Sequence, residues 1–164
     1  MTKKFTAGAL GVVLLALLGA GAFLTTMSGQ EAGRPTILMG DPAKGELTFS
    51  FLDKDGKPVD KLVLQNNVEN QVTLVNKGQI PHELRSDLFR LFQFDVEIAG
   101  VGEIETVGIR DMDLEPGKQV SFIVKPTLSS KVLDEKNGQV EFEVGCFIPG
   151  HYVGGMKGTI VVTK

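Results

Sequence analysis

From residue 46 onward the chain is written in short runs whose apolar and polar side chains alternate with a period of two. Each run is bounded by turn residues, the pattern of antiparallel strands with one face inward. The runs are ELTFSFL (46–52), KLVLQ (61–65), NQVTLVN (70–76), QVSFIVK (119–125), QVEFEVG (139–145) and KGTIVVT (157–163). In NQVTLVN the alternation puts Val72, Leu74 and Asn76 on one face. The turns DKDGKP (53–58), EPGK (115–118), KNGQ (136–139) and GGMKG (154–158) supply glycine where the chain must reverse. Strands at this spacing predict an all-β sandwich or barrel. The stretch 83–112 breaks the pattern. There SDLFRLFQF (86–94) starts like a short helix capped by Ser86 or Asp87, and FDVEIAG (94–100) alternates like an edge strand.

Ahead of these runs the texture changes. Residues 5–27 carry no charge and follow Lys3 and Lys4, the pattern of a signal peptide or a transmembrane anchor. Ala20-Gly21-Ala22 fits a cleavage site, while the apolar run is also long enough to span a bilayer, so 1–27 is read as either. Basic residues before the run put everything after residue 27 on the outer face of the cytoplasmic membrane or in the periplasm. Residues 28–45, rich in Gly, Pro and small polar residues, read as a flexible linker, which makes 46–164 the folded domain. A chain of 164 residues accommodates one such domain and its appendage.

Charge narrows the partners. The chain is formally -3, and without residues 1–27 it has 15 basic against 20 acidic side chains, with no basic stripe. Nucleic acid is therefore excluded as a partner, since phosphate binding needs clustered Lys and Arg. The single cysteine cannot form an internal disulfide, which leaves a core residue, a nucleophile or a metal ligand.

Position selects among those three. GCFIPGHYVGGMKGTIVV (145–162) sets Cys146, His151 and Met156 at the spacing C-x4-H-x4-M, on a loop between two predicted strands. Thiolate, imidazole and thioether together suit copper better than zinc, magnesium or calcium. A second imidazole is needed to complete two nitrogens and one sulfur, and His82, the other histidine of the chain, follows the strand NQVTLVN. Loops after different strands meet at one end of a sandwich, so His82 can close the same site. Taken singly, a lone Cys, His or Met is ordinary core or surface. Together they use every His and Cys in the chain.

These residues carry a resemblance. NKGQIPH (76–82), LEPGKQVSF (114–122) and GCFIPGHYVGGMKGTIVV (145–162) make 46–164 similar to the cupredoxins, type 1 blue-copper proteins of the plastocyanin, azurin, auracyanin and rusticyanin group. The resemblance implies a Greek-key β-sandwich of about eight strands, one copper ion cycling between Cu(I) and Cu(II), equatorial ligands His82, Cys146 and His151, and a weak axial Met156. One departure is Glu83, where many members of the family have Asn directly after the first ligand. The backbone N–H at that position can still donate to the cysteine sulfur.

The function the resemblance implies is transfer of single electrons between redox proteins, with no enzymatic activity, and partners are expected to dock on a monomer near His151, Phe147, Pro149 and Tyr152. An extracytoplasmic copper-binding or delivery protein with no electron-carrier role is the alternative. A multicopper oxidase is disfavoured because its further copper sites need imidazoles, and none remain once His82 and His151 are used.

Overall fold

Alternation along these runs becomes pairing in space. The computed structural model describes residues 33–98 and 102–164, and all structural statements concern these residues. The strands in chain order are β1 (Thr36–Asp41), β2 (Gly45–Leu52), β3 (Pro58–Val59), β4 (Leu62–Gln65), β5 (Asn70–Asn76), β6 (His82–Leu84), β7 (Gln93–Ile98), β8 (Gly102–Val107), β9 (Met112–Leu114), β10 (Gln119–Lys125), β11 (Gln139–Gly145) and β12 (Lys157–Thr163). Two short helices, α1 (Asp87–Leu91) and α2 (Ser130–Glu135), lie between them. One sheet has the order β3-β2-β1-β5-β10-β7-β8, a second β11-β12-β4, and β6 pairs with β9 alone. Most neighbours are antiparallel, but β1 runs parallel to β5 and β12 parallel to β4.

The sheets enclose one core. Ile37, Met39, Leu74, Phe94 and Phe122 from the larger sheet are buried with Leu62, Leu64, Val144, Ile160 and Val162 from the smaller. Burying each such side chain stabilises the fold by about 1.5–3 kcal/mol. Phe94 stacks on Phe122 at 4.7 Å, and Phe89 meets both rings edge-on at 5.4 Å. This is the expected all-β sandwich, with more strands than expected because β3, β6 and β9 are too short to show a period.

Two expectations need correction. Within the segment read as linker, 36–41 is strand β1, paired with β2 on one side and β5 on the other. Gly33, Pro35 and Pro42 beside it and Gly40 within it gave it the composition of a tether, but Thr36, Ile37 and Met39 are buried. The folded unit therefore begins before Glu46. FDVEIAG is also not an edge: β7 is covered by β8, which forms the edge instead. Positions 99–101 and the apolar segment 1–27 lie outside the described residues.

The stretch that broke the pattern holds most of β6, α1, β7, β8 and the start of β9, and its β7 and β8 extend the larger sheet. Ser86 caps α1, its Oγ accepting from the Leu88 N–H at 3.3 Å and donating to the Glu143 carbonyl at 2.7 Å. Leu88 and Phe89 drop into the core. The β7–β8 hairpin follows, and β9 then returns the chain beside β6, with Leu114 opposite His82. One predicted ligand is thereby fixed in a strand pair.

Candidate metal centre

His82 owes its position to Asn76, the buried last residue of β5. The Asn76 Nδ2 donates to the carbonyls of Ile80 at 2.9 Å and Leu114 at 2.8 Å, and its Oδ1 accepts from the Gly78 N–H at 2.9 Å. One side chain thus shapes the 77–81 turn and ties it to β9. Lys77 N–H donates to the Met39 carbonyl at 2.8 Å, so β1 anchors the same turn. The His82 ring is fully buried.

Glu46, the second residue of β2, meets that ring from outside. Its Oε1 lies 3.0 Å from His82 Nε2 and accepts from the N–H groups of Gln79 at 2.8 Å and Ile80 at 3.2 Å. Burial alone would raise the Glu46 carboxyl, but these hydrogen bonds and the His82 ring outweigh it and hold it below the ordinary carboxylate value. Burial lowers the His82 ring from its usual value, against the pull of Glu46.

The other three predicted residues come from the loop between β11 and β12. Cys146 N–H donates to the Met156 carbonyl at 3.1 Å, closing the loop at its base. Inside it, His151 N–H donates to Ile148 O and Met156 N–H to His151 O, both at 3.0 Å. Gly155, at φ 102°, lets the chain turn into Met156. Cys146 and Met156 are fully buried and His151 half-buried.

The structure brings His82, Cys146 and His151 together, with one donor atom from each lying within 4.8 Å of the others. Cys146 Sγ is 3.2 Å from His151 Nδ1, and the two imidazole rings stand 5.2 Å apart at 61°. Met156 is placed beside them through its backbone bonds to Cys146 and His151. The sulfur also accepts from the Glu83 N–H at 3.3 Å, as expected for that position. Burial pushes the Cys146 thiol up, with the N–H groups of Glu83 and Ile148 pulling the other way. The Glu83 Oε1 is buried without a hydrogen-bond partner.

An ion fits this arrangement. His82 Nδ1 is buried and has no hydrogen-bond partner, while its Nε2 is engaged by Glu46. A buried acceptor left unpaired is costly unless something outside the protein satisfies it. The donors around it are imidazole nitrogen and thiol sulfur, and the buried Met156 follows on the same loop, a set that favours copper.

At the mouth of the site Phe147 stacks on Tyr152 at 4.8 Å, with Arg85 over the first ring and Lys157 over the second. A Cβ at Gly145 would stand 2.9 Å from both rings, so glycine is needed beneath the pair. Tyr152 donates its hydroxyl to Glu143 Oε1 at 2.7 Å. Phe147 is 46% exposed and Val153 88%, with Ile80 and Pro149 also exposed.

Sequence reasoning missed Glu46, Asn76 as a hydrogen-bonding hub, and Gly40. The signal for Asn76 was present: a polar residue on the inward face of an alternating strand. Glu46 is 36 positions from His82, and nothing local marks the pair.

Comparison with solved structures shows the fold. A multicopper oxidase, McoA from Aquifex aeolicus, aligns with 85% of this chain and 31% of its own at a TM-score of 0.54 and 16% identity. A laccase from Pediococcus acidilactici aligns with 82% of this chain and 28% of its own, at 0.52 and 15%. Rusticyanin from Thiobacillus ferrooxidans aligns over 79% of this chain and 76% of its own, at 0.46 and 16%. The chain spans about a third of the length of the oxidases it matches. No family model matches the chain, and no curated protein matches its sequence. The fold is a cupredoxin fold, and its His–Cys–His cluster fits a type 1 copper site.

Proposed function

We propose that this chain is a blue-copper electron carrier working outside the cytoplasmic membrane, in which His82 Nδ1, Cys146 Sγ, His151 Nδ1 and the Met156 thioether would hold the ion. The observation that carries the reading is the convergence of the chain's single cysteine and both its histidines on one point. Copper, when bound there, supplies a one-electron couple. The protein's own part is to hold the donors still and keep water away. Asn76 and Glu46 fix the His82 side, and the bonds among Cys146, His151 and Met156 fix the other.

Partners dock at the exposed apolar rim made by Ile80, Phe147, Pro149 and Val153, beside the half-buried His151. A small apolar surface suits brief encounters, which typically bury less than about 1,200 Å². No enzymatic activity is proposed, because His82 and His151 are both committed to this one ion. The outer-face location follows from Lys3 and Lys4 ahead of the charge-free run.

The test is a visible and EPR spectrum of the full chain, in mild detergent, after addition of Cu(II). The carrier reading expects intense colour from thiolate-to-copper charge transfer. A colourless protein with an ordinary tetragonal Cu(II) signal would refute it.

A further inference from the structure

Resting on the copper reading, we infer that Glu46 is a positioning residue for His82 and that its charge favours the Cu(II) state of the site. Its Oε1 gathers three donors, the N–H groups of Gln79 and Ile80 and the His82 ring nitrogen Nε2, at 2.8, 3.2 and 3.0 Å. Oε1 already accepts from two backbone N–H groups and so is not itself a donor, which leaves Nε2 to carry the proton and Nδ1 with a free lone pair. Nδ1 is the ring nitrogen that is buried without a partner. The carboxylate therefore selects the tautomer able to bind a metal.

The surrounding backbone makes room for this contact. A Cβ on Gly78 would sit 2.1 Å from Glu46 Oε1 and 2.8 Å from His82 Nε2, and one on Gly40 would sit 3.0 Å from the same nitrogen. Two glycines, Gly40 in β1 and Gly78 in the 77–81 turn, thus leave the edge of the ring open to Glu46. The next residue reaches the opposite half of the site: Leu47 Cδ1 lies 2.6 Å from where a Gly154 Cβ would be, two positions before Met156. One step of β2 braces both ligand-bearing segments.

A fixed negative charge one imidazole away from the ion stabilises the doubly charged state more than the singly charged one. The Glu46 side chain is 34% exposed, so solvent screens part of this. A backbone carbonyl in the same place would fix the tautomer without the charge.

Two variants of the full chain separate these roles. Glu46→Gln keeps an acceptor of the same shape and removes the charge, whereas Glu46→Leu removes both. Long-range ¹H–¹⁵N spectra of the metal-free proteins report the His82 tautomer, and titrations with Cu(I) and Cu(II) against competing chelators report the two affinities. The parent and Glu46→Gln should show Nε2–H alone, and Glu46→Leu a mixture. Glu46→Gln should raise the ratio of Cu(I) to Cu(II) affinity about tenfold, equivalent to about 59 mV for a one-electron couple.

A single Nε2–H tautomer in Glu46→Leu would overturn the positioning role. A ratio changed less than about twofold in Glu46→Gln would overturn the charge role. Should Glu46→Leu not fold, a Glu46→Gln spectrum showing mixed tautomers would overturn positioning by shape. If the parent binds no copper, the copper reading fails and the charge role falls with it, while the metal-free spectra still decide the tautomer.

Discussion

Asn76 offers a sharp test of how the site is held, because its side chain makes three hydrogen bonds and touches no metal. Replacing it with Ala removes both donors from the Ile80 and Leu114 carbonyls and the acceptor from Gly78 N–H. At a net value of roughly 1 kcal/mol each, the loss is about 3 kcal/mol, a large share of a total that is typically about 5–15 kcal/mol. With a urea dependence of about 2 kcal/mol per molar, the unfolding midpoint of the metal-free protein should fall by about 1.5 M. Copper affinity should fall too, since the 77–81 turn would no longer aim His82. Asn66→Ala is the control. Asn66 is also nearly buried and exchanges two hydrogen bonds with Leu128, but it precedes β5 whereas Asn76 ends it. Its loss should cost about 2 kcal/mol and leave copper affinity unchanged. A midpoint shift below 0.5 M (about a third of that expected) for Asn76→Ala would refute the reasoning, as would equal copper loss in both variants.

Three further outcomes follow from other parts of the molecule. Met156→Leu should keep copper and raise its potential, because a thioether is a weak donor that would tune the site more than hold the ion, whereas Cys146→Ser should abolish the colour; titration and voltammetry compare them. Phe94→Ala, which empties the centre of the Phe89–Phe94–Phe122 cluster, should cost about 3–5 kcal/mol in a urea melt, as deletion of a buried aromatic does. The Ala43 N–H and the Ser50 hydroxyl hold the Asp41 carboxyl below its ordinary value. Its stabilisation is thus complete above the ordinary carboxylate range and is lost as pH falls through the depressed value; Asp41→Asn should flatten the acid limb of a stability–pH profile measured by melting.

The alternating runs made β2, β4, β5, β10, β11 and β12 legible, since a strand buried on one face writes its geometry into every second residue. The residues proposed as ligands were legible for a different reason: Cys and His are scarce in this chain, and three of the four sit on one short loop. Strand β1 was hidden because it is central. Paired on both sides, with Thr36, Ile37 and Met39 all buried, it shows no strict alternation, and its glycine and proline neighbours imitate a linker. The pairing of β8 against β7 was equally illegible, because an edge and its neighbour differ in partners and not in period.

What holds the site lies in the part hardest to read. Gly40 belongs to β1, in the segment that resembled a tether, and at φ 68° it passes so close that an added Cβ would be 2.5 Å from Gly78 Cα. Asp41 follows at the irregularity in the β1–β2 register, and Glu46 comes one residue after the hairpin closes at Gly45. The bulge shifts the facing of the strand, and bulges are a common means of redirecting side chains at the margin of a sheet. A hairpin with regular pairing would turn different side chains toward His82. The residues that chelate and the residues that orient them therefore leave different marks. Chelation needs rare side chains, which stand out in a sequence. Orientation here needs a carboxylate and two glycines, which are common everywhere and acquire their role from the fold that assembles them.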